Sequence, residues 1–336
     1  MSRKASMGRR VLLGVLLGVV VYAGILLWID FDGFKHALAE FPPVLILAAC
    51  GLSFANYVIR FAKWQRYLKL LAIELKPGTS FLIYLAGFSM GVTPGKMGEV
   101  FKSWMIRRVT GTPIHKTAPI VVAERVTDLL GYLILVAAGG IATVPEYQWV
   151  FWVTLAICGA GIALAGSHAF SEVVSRAVAR TPFFWRYKGK VRGSFESTRV
   201  LLSPREIVLP TLLSVVSWGC ECTGFWLIAD AMTEARFPFL YAVFAYAFSA
   251  VAGAVALIFP GGLVITEGSL GTLTRRKLEE LTDLPMELAR SKAAGATLIA
   301  RLCTLWFGVA VGVVATMIFQ RRYGEIRLDD EESEAA

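Results

Sequence analysis

Long apolar runs alternate along most of the chain with short polar connections. A helix rises 1.5 Å per residue, so about twenty apolar residues cross the ~30 Å hydrocarbon layer of a bilayer. The runs that predict membrane-spanning helices are 11–29, 44–59, 117–142, 149–166, 207–228, 241–259 and 293–319. We therefore expect an all-α, polytopic integral membrane protein with about seven or eight transmembrane helices.

Two further apolar segments, 79–92 and 262–274, are too short to cross a bilayer alone and adjoin a Pro-Gly pair. Proline lacks an amide donor and glycine tolerates unusual dihedral angles, so a membrane helix can stop there. Broken backbone survives at membrane depth only where protein or a wet cavity meets it. The sequence predicts two broken or re-entrant segments and leaves open whether they cross or re-enter. The predicted helix-break residues are Pro94, Gly95, Gly98, Pro260, Gly261 and Gly262.

The two breaks also predict an internal duplication, with one copy over 44–142 and the other over 207–319. Phe81–Val92 aligns with Phe248–Phe259 as the apolar run that enters each break. A lone arginine follows each break, Arg125 in the first copy and Arg301 in the second, after spacings that differ by an insertion. Paired broken helices in matching places are typical of transporter sites.

Glu124, Arg125 and Asp128 lie within one predicted membrane helix, at spacings that bring their side chains to neighbouring positions. A charge at membrane depth costs at least ~2.5–3.5 kcal/mol unless it is paired or hydrated. One hypothesis is a structural ion pair that fastens the helix to its neighbour. The other is a polar lining for an anionic headgroup or a coupling ion, and the matching Arg301 favours it.

Acidic and basic residues also follow the two breaks. Glu99 and Glu267 are candidate site residues, or alternatively first-turn carboxylates that satisfy free helix amides. Lys96 either contacts a phosphate or extends to the membrane interface. Glu221 has no evident partner in the sequence, and a hydrogen bond to a neighbouring helix is the alternative to a site role.

The chain has 336 residues and a net charge of +9, and its Lys and Arg residues are concentrated between apolar runs, as the positive-inside rule expects. We therefore expect no nucleic-acid partner, and a cytoplasmic-membrane protein with a basic cytoplasmic N-terminus, 1–10. An uncleaved first helix is favoured there over a secretory signal. The loop 168–206 is expected to be cytoplasmic and to contact anionic inner-leaflet lipid. Asn56 and Arg60 are expected to face the headgroups, and the tail 320–336 to be disordered, on a side left open.

The pattern Pro94-Gly95-x-x-Gly98-Glu99, followed by Glu124-Arg125-x-x-Asp128 and later by Pro260-Gly261-Gly262 and Glu267, resembles a known family. It is similar to the lysylphosphatidylglycerol synthase transmembrane region, or flippase-like domain, from about residue 10 to 320. The resemblance implies movement of lipids with charged headgroups across a membrane. The domain occurs alone, fused to an aminoacyl-lipid synthase, or beside glycosyltransferases. Seventeen residues follow Phe319, so we do not expect the synthase activity.

Together these patterns predict a membrane lipid translocase within the domain 11–319. Arg125 and Arg301 would receive a phosphate, and Glu99, Glu267 and Asp128 would hold those arginines or carry protons. The partners expected are lipids with anionic or zwitterionic headgroups, with envelope-biosynthesis enzymes or a second copy as further candidates. No metal or cofactor is expected, and no Walker motif indicates ATP use. The alternatives are a scaffold of a cell-envelope lipid pathway and an intramembrane lipid-phosphate enzyme.

Overall fold

A computed structural model describes residues 41–91, 101–140, 188–255 and 263–324, together with scattered helical positions between 149 and 172. The regular secondary structure of these residues is entirely helical, which confirms the all-α prediction. Several predictions lie outside the described residues: the N-terminal segment 1–10, the first apolar run, and the break residues and charges Pro94, Gly95, Lys96, Gly98, Glu99, Pro260, Gly261 and Gly262.

The first half of the described chain contains the helices α1 (Pro43–Leu70), α2 (Pro77–Ala86) with a 3₁₀ turn at Gly87–Met90, α3 (Phe101–Thr110), α4 (Ile114–Thr117) and α5 (Pro119–Gly140). The second half contains α6 (Lys188–Leu201), α7 (Pro204–Ala231), α8 (Phe239–Val255), α9 (Ile265–Leu281), α10 (Met286–Arg301), a π-helical turn at Leu302–Trp306 and α11 (Phe307–Tyr323). A proline begins α1, α2, α5 and α7, where its missing amide costs no helical hydrogen bond.

Within the described ranges, three helical stretches are long and apolar enough to cross a membrane: α1 and α7, of 28 residues each, and the continuous 38-residue stretch from Met286 to Tyr323. At 1.5 Å per residue, 28 residues extend over ~42 Å, more than the ~30 Å hydrocarbon layer requires. Helix α8 is a shorter apolar helix of 17 residues. A multi-pass membrane protein follows from these helices.

The two long helices α1 and α7 pack against each other, and α5 packs on α7 and α8. On the other side, α11 lies against α2 and its 3₁₀ turn, and α9 and α10 form a helical hairpin. Glycine permits the closest approach: a Cβ atom on Gly131 of α5 would stand 2.7 Å from the Ser214 Cβ of α7. Small residues at such crossings let membrane helices bring their backbones together.

One predicted helix boundary in the first predicted copy is wrong. The helix predicted to end at Ile59 continues to Leu70, so residues expected in the headgroup layer belong to the protein core. Trp64, Tyr67 and Leu68 are at most 2% exposed. Helices α2, α3 and α5 cover this face of α1, and the apolar surface of these side chains is buried there.

The predicted loop 168–206 is partly helical, because α6 occupies Lys188–Leu201 and α7 already begins at Pro204. Helix α6 packs on α4 and α5 and buries Leu201 completely, so this part is not a free surface segment. The tail predicted to be disordered from residue 320 is helical through Tyr323. Residues 325–336 lie outside the described range.

Candidate functional site

A cavity of about 390 Å³, here called the central cavity, is enclosed mainly by α1, α2, α5, α7, α8 and the α10–α11 stretch. Its lining contains four basic residues, Arg60, Lys102, Arg125 and Arg301, and three acidic residues, Glu124, Asp128 and Glu221. Ionisable side chains inside a membrane protein are costly and mark functional sites when they face an internal cavity. The central cavity is therefore the candidate site.

Arg60 and Glu221 lie well inside their helices. Each is ten residues from the last residue of a 28-residue helix. Ten helical residues correspond to ~15 Å along the helix axis. The charged lining of the cavity therefore lies away from the ends of α1 and α7.

A buried network holds Asp128 against α1. Arg60 Nη2 donates to Asp128 Oδ2 at 2.9 Å, and Lys63 Nζ donates to Asp128 Oδ1 at 2.5 Å. Lys63 Nζ also donates to Ser214 Oγ, which in turn donates to Asp128 Oδ1. Asp128 is 3% exposed and Lys63 is fully buried. The network thus joins α1, α5 and α7, as the structural hypothesis for Asp128 expects.

Glu124 is paired with Lys102, which was not among the predicted site residues. Lys102 Nζ of α3 donates to Glu124 Oε2 at 2.5 Å, and both side chains are buried. The same ammonium lies 4.6 Å from the centre of the Trp64 ring and 5.5 Å from that of Tyr84. Aromatic faces attract a cation, so Lys102 is held both by Glu124 and by the two rings.

Arg125 and Arg301, the lone arginines of the two predicted copies, both line the central cavity. Arg301 Nε donates to Glu267 Oε1 at 2.7 Å, a pair that the sequence analysis anticipated. Glu267 lies in the first turn of α9, so its carboxylate also stands near that helix's free amides. The structure brings together Arg125, Arg301, Glu124 and Asp128 around one space, with Glu267 directly behind Arg301.

Glu221 follows the alternative that the sequence allowed, a hydrogen bond to a neighbouring helix. The Tyr246 hydroxyl of α8 donates to Glu221 Oε2 at 2.7 Å. Aromatic rings form the adjoining wall: Tyr132 stacks on Trp218 with ring centres 4.6 Å apart, and the Arg60 guanidinium lies 4.7 Å from the Trp218 ring centre.

The expectation that Asn56 and Arg60 face the headgroups is wrong. Asn56 is fully buried and donates from Nδ2 to the Ser217 carbonyl of α7 at 2.9 Å, while Arg60 is 6% exposed. The apolar run ends at Ile59, and this predicted an interfacial position for Arg60. The spacing of Arg60, Lys63 and Tyr67 on one helix face was the signal that could have identified them.

The walls of the central cavity come from matching positions of the two predicted copies. Tyr57 and Trp218 are the fifteenth residues of α1 and α7, and Arg60 and Glu221 the eighteenth. Further matched pairs line the cavity. Counted from the first residues of α2 and α8, these are Tyr84 with Tyr246, Phe88 with Ala250, and Gly91 with Gly253. Counted from Arg125 and Arg301, they are Asp128 with Thr304, Leu129 with Leu305, and Tyr132 with Gly308. This register of α2 and α8 differs from the alignment of Phe81–Val92 with Phe248–Phe259.

A fold of membrane-spanning helices around a charged internal cavity defines a polytopic membrane protein with an internal site. Residues 15–312 match the family described as the lysylphosphatidylglycerol synthase TM region, and the chain belongs to this family of membrane proteins linked to lipid handling. The chain is also similar to the UPF0104 membrane protein of Methanothermobacter thermautotrophicus, at 22% identity over 340 residues. That match covers 94% of this chain and 97% of the relative.

Proposed function

We propose that the protein is a lipid translocase that moves a lipid with a phosphate-bearing headgroup across the cytoplasmic membrane through the central cavity. The observation that carries the proposal is the position of Arg125 and Arg301, which line one cavity although 176 residues separate them in the chain. A guanidinium binds phosphate through parallel hydrogen bonds, which makes arginine suited to this headgroup.

The charge balance of the cavity supports an anionic ligand group. Glu124 and Asp128 already accept from Lys102, Arg60 and Lys63, and Glu221 accepts from Tyr246. The lining contains four basic side chains and three acidic ones. A phosphate between Arg125 and Arg301 would offset the basic excess and would replace part of the water that a charge in the membrane requires.

Unused donors on the cavity wall support the same ligand. Among the described residues, the Tyr84 hydroxyl, the Trp218 indole nitrogen and Arg60 Nε have no hydrogen-bond partner. A buried donor left without an acceptor is costly, and a phosphate oxygen is a strong acceptor. One buried acceptor among the described residues, Glu124 Oε1, also has no hydrogen-bond partner. This suits a headgroup that also carries a hydrogen-bond donor.

The matched positions of the two copies support a transport mechanism over an enzymatic one. In transporters built from two repeats, the substrate site lies between them near the midplane, and alternating access results from movement of one repeat against the other. The proposal places the N-terminus in the cytoplasm and anionic or zwitterionic membrane lipids at the site. The break residues, Lys96 and Glu99 retain their predicted roles within it.

The test is lipid movement in vesicles that contain only the purified protein. A fluorescent phospholipid, quenched from outside by a membrane-impermeant reductant, reports the rate at which headgroups cross. Arg125→Ala and Arg301→Ala should each slow the protein-dependent rate about tenfold or more, since a charge-assisted hydrogen bond is worth ~1.5–3 kcal/mol. The matched control is Arg192→Ala, whose side chain is 76% exposed on α6 and should not affect the rate.

Lysine substitution separates charge from geometry. Arg125→Lys and Arg301→Lys keep the charge but lose the parallel pair of donors, so they should remain clearly slower than wild type if phosphate is bound through both. Wild-type rates in both alanine variants, with folded protein by size-exclusion chromatography, would remove the two arginines from the site.

A further inference from the structure

Glu221 differs from the other two acids that line the central cavity. Asp128 is bonded to two basic side chains and Glu124 to one. Glu221 is 6% exposed and accepts a hydrogen bond from the Tyr246 hydroxyl, and within the described part of the chain it has no ion pair. A neutral hydroxyl therefore stands where the other two carboxylates have a counter-charge.

The matched positions of the two predicted copies show where the counter-charge is missing. Arg60 of α1 is bonded to Asp128 of α5, and both line the central cavity. Glu221 occupies the position in α7 that Arg60 occupies in α1, and the residue matched to Asp128 is the neutral Thr304. The first copy thus places a pair of opposite charges on this wall, and the second places one carboxyl group there.

The basic groups around Glu221 already bind other carboxylates. Helix α7 packs against α1, α5, α8 and α10. The titratable groups that these helices bring to Glu221 are Tyr57, Arg60, Asp128, Tyr132, Tyr246 and Arg301. On α7 itself its neighbours are the thiols of Cys220 and Cys222. Glu124 and Arg125 line the same cavity from the preceding turn of α5, and Lys102 lines it from α3. Of the two nearest guanidinium groups, that of Arg60 is bonded to Asp128 and that of Arg301 to Glu267.

A proton is the simplest partner for such a carboxylate. A buried ionised carboxylate is costly when no cation is bonded to it, and binding a proton removes its charge. The neutral carboxyl group still accepts the hydrogen bond from Tyr246 through its carbonyl oxygen. Since Glu221 lines the cavity, water that enters the cavity can supply and remove the proton. Among the described acids of the lining, Glu221 is therefore the one suited to proton exchange.

The charge of Glu221 also affects the proposed phosphate site. An ionised carboxylate and a phosphate in one cavity are like charges, and their repulsion is strong where water screens little. The Glu221 carboxylate also attracts the guanidinium group of Arg301, one of the two proposed phosphate ligands. Protonation of Glu221 removes both effects. The anionic headgroup and the proton should therefore favour each other's binding, as linkage requires.

We propose that Glu221 is a proton-binding site, and that the protein moves one proton together with each anionic lipid headgroup in the same direction. On one side of the membrane, the carboxylate takes a proton from a hydronium ion as the headgroup enters the cavity. On the other side, the carboxyl group returns this proton to water as the headgroup leaves. The inference rests on the proposed translocase function and adds the gradient that drives it.

The first experiment drives lipid with a pH gradient. Vesicles that contain the purified protein carry a trace of fluorescent phosphatidylglycerol, and an impermeant reductant added at steady state measures the fraction in the outer leaflet. A gradient of one pH unit should enrich the label up to about tenfold in the leaflet that faces the more alkaline solution, because one unit is a tenfold ratio of protons. Vesicles without a gradient, and vesicles without protein, should show no such enrichment.

The second experiment removes the proton site. Glu221→Gln keeps the size of the side chain and an acceptor for Tyr246, but it binds no proton. This variant should still move lipid, while a pH gradient should no longer enrich the label in either leaflet. The matched control is Glu206→Gln, the same substitution in the first turn of the same helix, at a residue that pairs with Arg66 outside the central cavity. It should retain the enrichment.

The pH dependence of the rate provides an independent measurement. With equal pH on both sides, wild-type lipid movement should slow as the pH rises, because headgroup binding favours the protonated carboxyl group. Glu221→Gln should show no such slowing, and Glu221→Asp, which keeps a carboxyl group, should restore both the slowing and the enrichment. Glu221→Met, with an apolar side chain of similar length, replaces Glu221→Gln if that variant does not fold.

The outcomes distinguish the proton site from the translocase. Wild-type enrichment in folded Glu221→Gln would remove Glu221 from the coupling. If wild-type protein moves lipid and Arg125→Ala and Arg301→Ala slow it, but a pH gradient never enriches the label, the translocase proposal stands and the proton coupling fails. If wild-type protein moves no lipid, the translocase proposal fails and the proton coupling fails with it.

Discussion

Arg60 and Glu221 occupy the same position, the eighteenth residue, in two 28-residue helices that pack against each other, and both line the central cavity. Their neighbours three residues earlier, Tyr57 and Trp218, match as well. Two similar backbones thus present opposite charges to one space. The proposed duplication keeps the helix register, while the side chains at the matched positions differ in charge.

The network around Asp128 should be a main determinant of stability. Asp128→Asn leaves Arg60 and Lys63 buried without their counter-charge, and the free energy of unfolding should fall by ~3–5 kcal/mol. Denaturant unfolding in detergent micelles measures the loss. The control is Glu196→Gln, which removes an exposed pair with Arg192 and should change the value by less than ~1 kcal/mol. Similar values for the two variants would contradict the structural role of Asp128.

Tyr84 and Tyr246 are the eighth residues of α2 and α8. Loss of the hydroxyl should change the free energy of unfolding differently at these two positions. Tyr246→Phe removes the donor to Glu221 and should destabilise the fold by ~1–3 kcal/mol. The Tyr84 hydroxyl has no partner within the described part of the chain, so Tyr84→Phe should leave stability unchanged or slightly higher.

Lipid movement should show the reverse order. Tyr84→Phe should slow transport several-fold, because its hydroxyl is available to a ligand in the central cavity. Stability from unfolding curves and rates from the vesicle assay, measured on the same preparations, decide the question. A destabilised Tyr84→Phe with normal transport would mean that the hydroxyl has only a structural partner.

Substitution by alanine should have different effects on stability at Gly312 and at Gly219. A Cβ atom on Gly312 of α11 would stand 2.7 Å from the Phe88 carbonyl carbon and would also overlap the Ser89 backbone, so Gly312→Ala should cost ~1–3 kcal/mol through overpacking. Gly219 of α7 has no atom within 4 Å, and alanine there should stabilise the helix by up to ~1 kcal/mol. Thermal unfolding temperatures of the two variants test the close packing of α11 on the 3₁₀ turn.

Two residues other than glycine have positive φ angles in the described chain: Ala72, at 52°, and Val264, at 74°. The left-handed region is unfavourable for side chains with a Cβ, by ~1–2 kcal/mol, and β-branched valine is the more strained. Ala72→Gly and Val264→Gly should therefore both raise the free energy of unfolding by about 1 kcal/mol.

The transport rates of the same two variants show whether backbone strain at Val264 affects lipid movement. Ala72 lies just beyond the end of α1 and does not line the central cavity, so Ala72→Gly should transport normally. Val264 precedes α9, whose second residue, Thr266, lines the central cavity, so a change of transport rate is expected for Val264→Gly alone. Unchanged transport in both variants would make the Val264 conformation irrelevant to passage.

The apolar pattern predicted the helical class and the order of the helices, because burial in hydrocarbon dictates long apolar helices. It misplaced the end of the first described helix, because the apolar run ends at Ile59 and Arg60 was expected to face the headgroups. Hydropathy does not distinguish a cation paired with Asp128 from one in the headgroup layer. The pairing depends on where α5 crosses α1, and that contact joins residues more than sixty positions apart.

The candidate site was predicted in part. Arg125, Arg301, Glu124 and Asp128 were selected because each is a charge within an apolar run, and all four line one cavity. Lys102 was not selected because it lies on the short helix α3 and not within a long apolar run. Its burial against Trp64 results from tertiary packing of α3, which no local pattern reports.

The π-helical turn at Leu302–Trp306 directly follows Arg301, and the Thr304 carbonyl within it accepts a hydrogen bond from the Tyr57 hydroxyl at 3.0 Å. A wide turn interrupts the regular backbone ladder and is where a long helix bends most readily. We therefore expect Leu302–Trp306 to act as a pivot. Helix α10, which bears Arg301, can then tilt together with α9 while α11 remains packed on α2. The long helical stretch would move as two rigid segments joined at this turn.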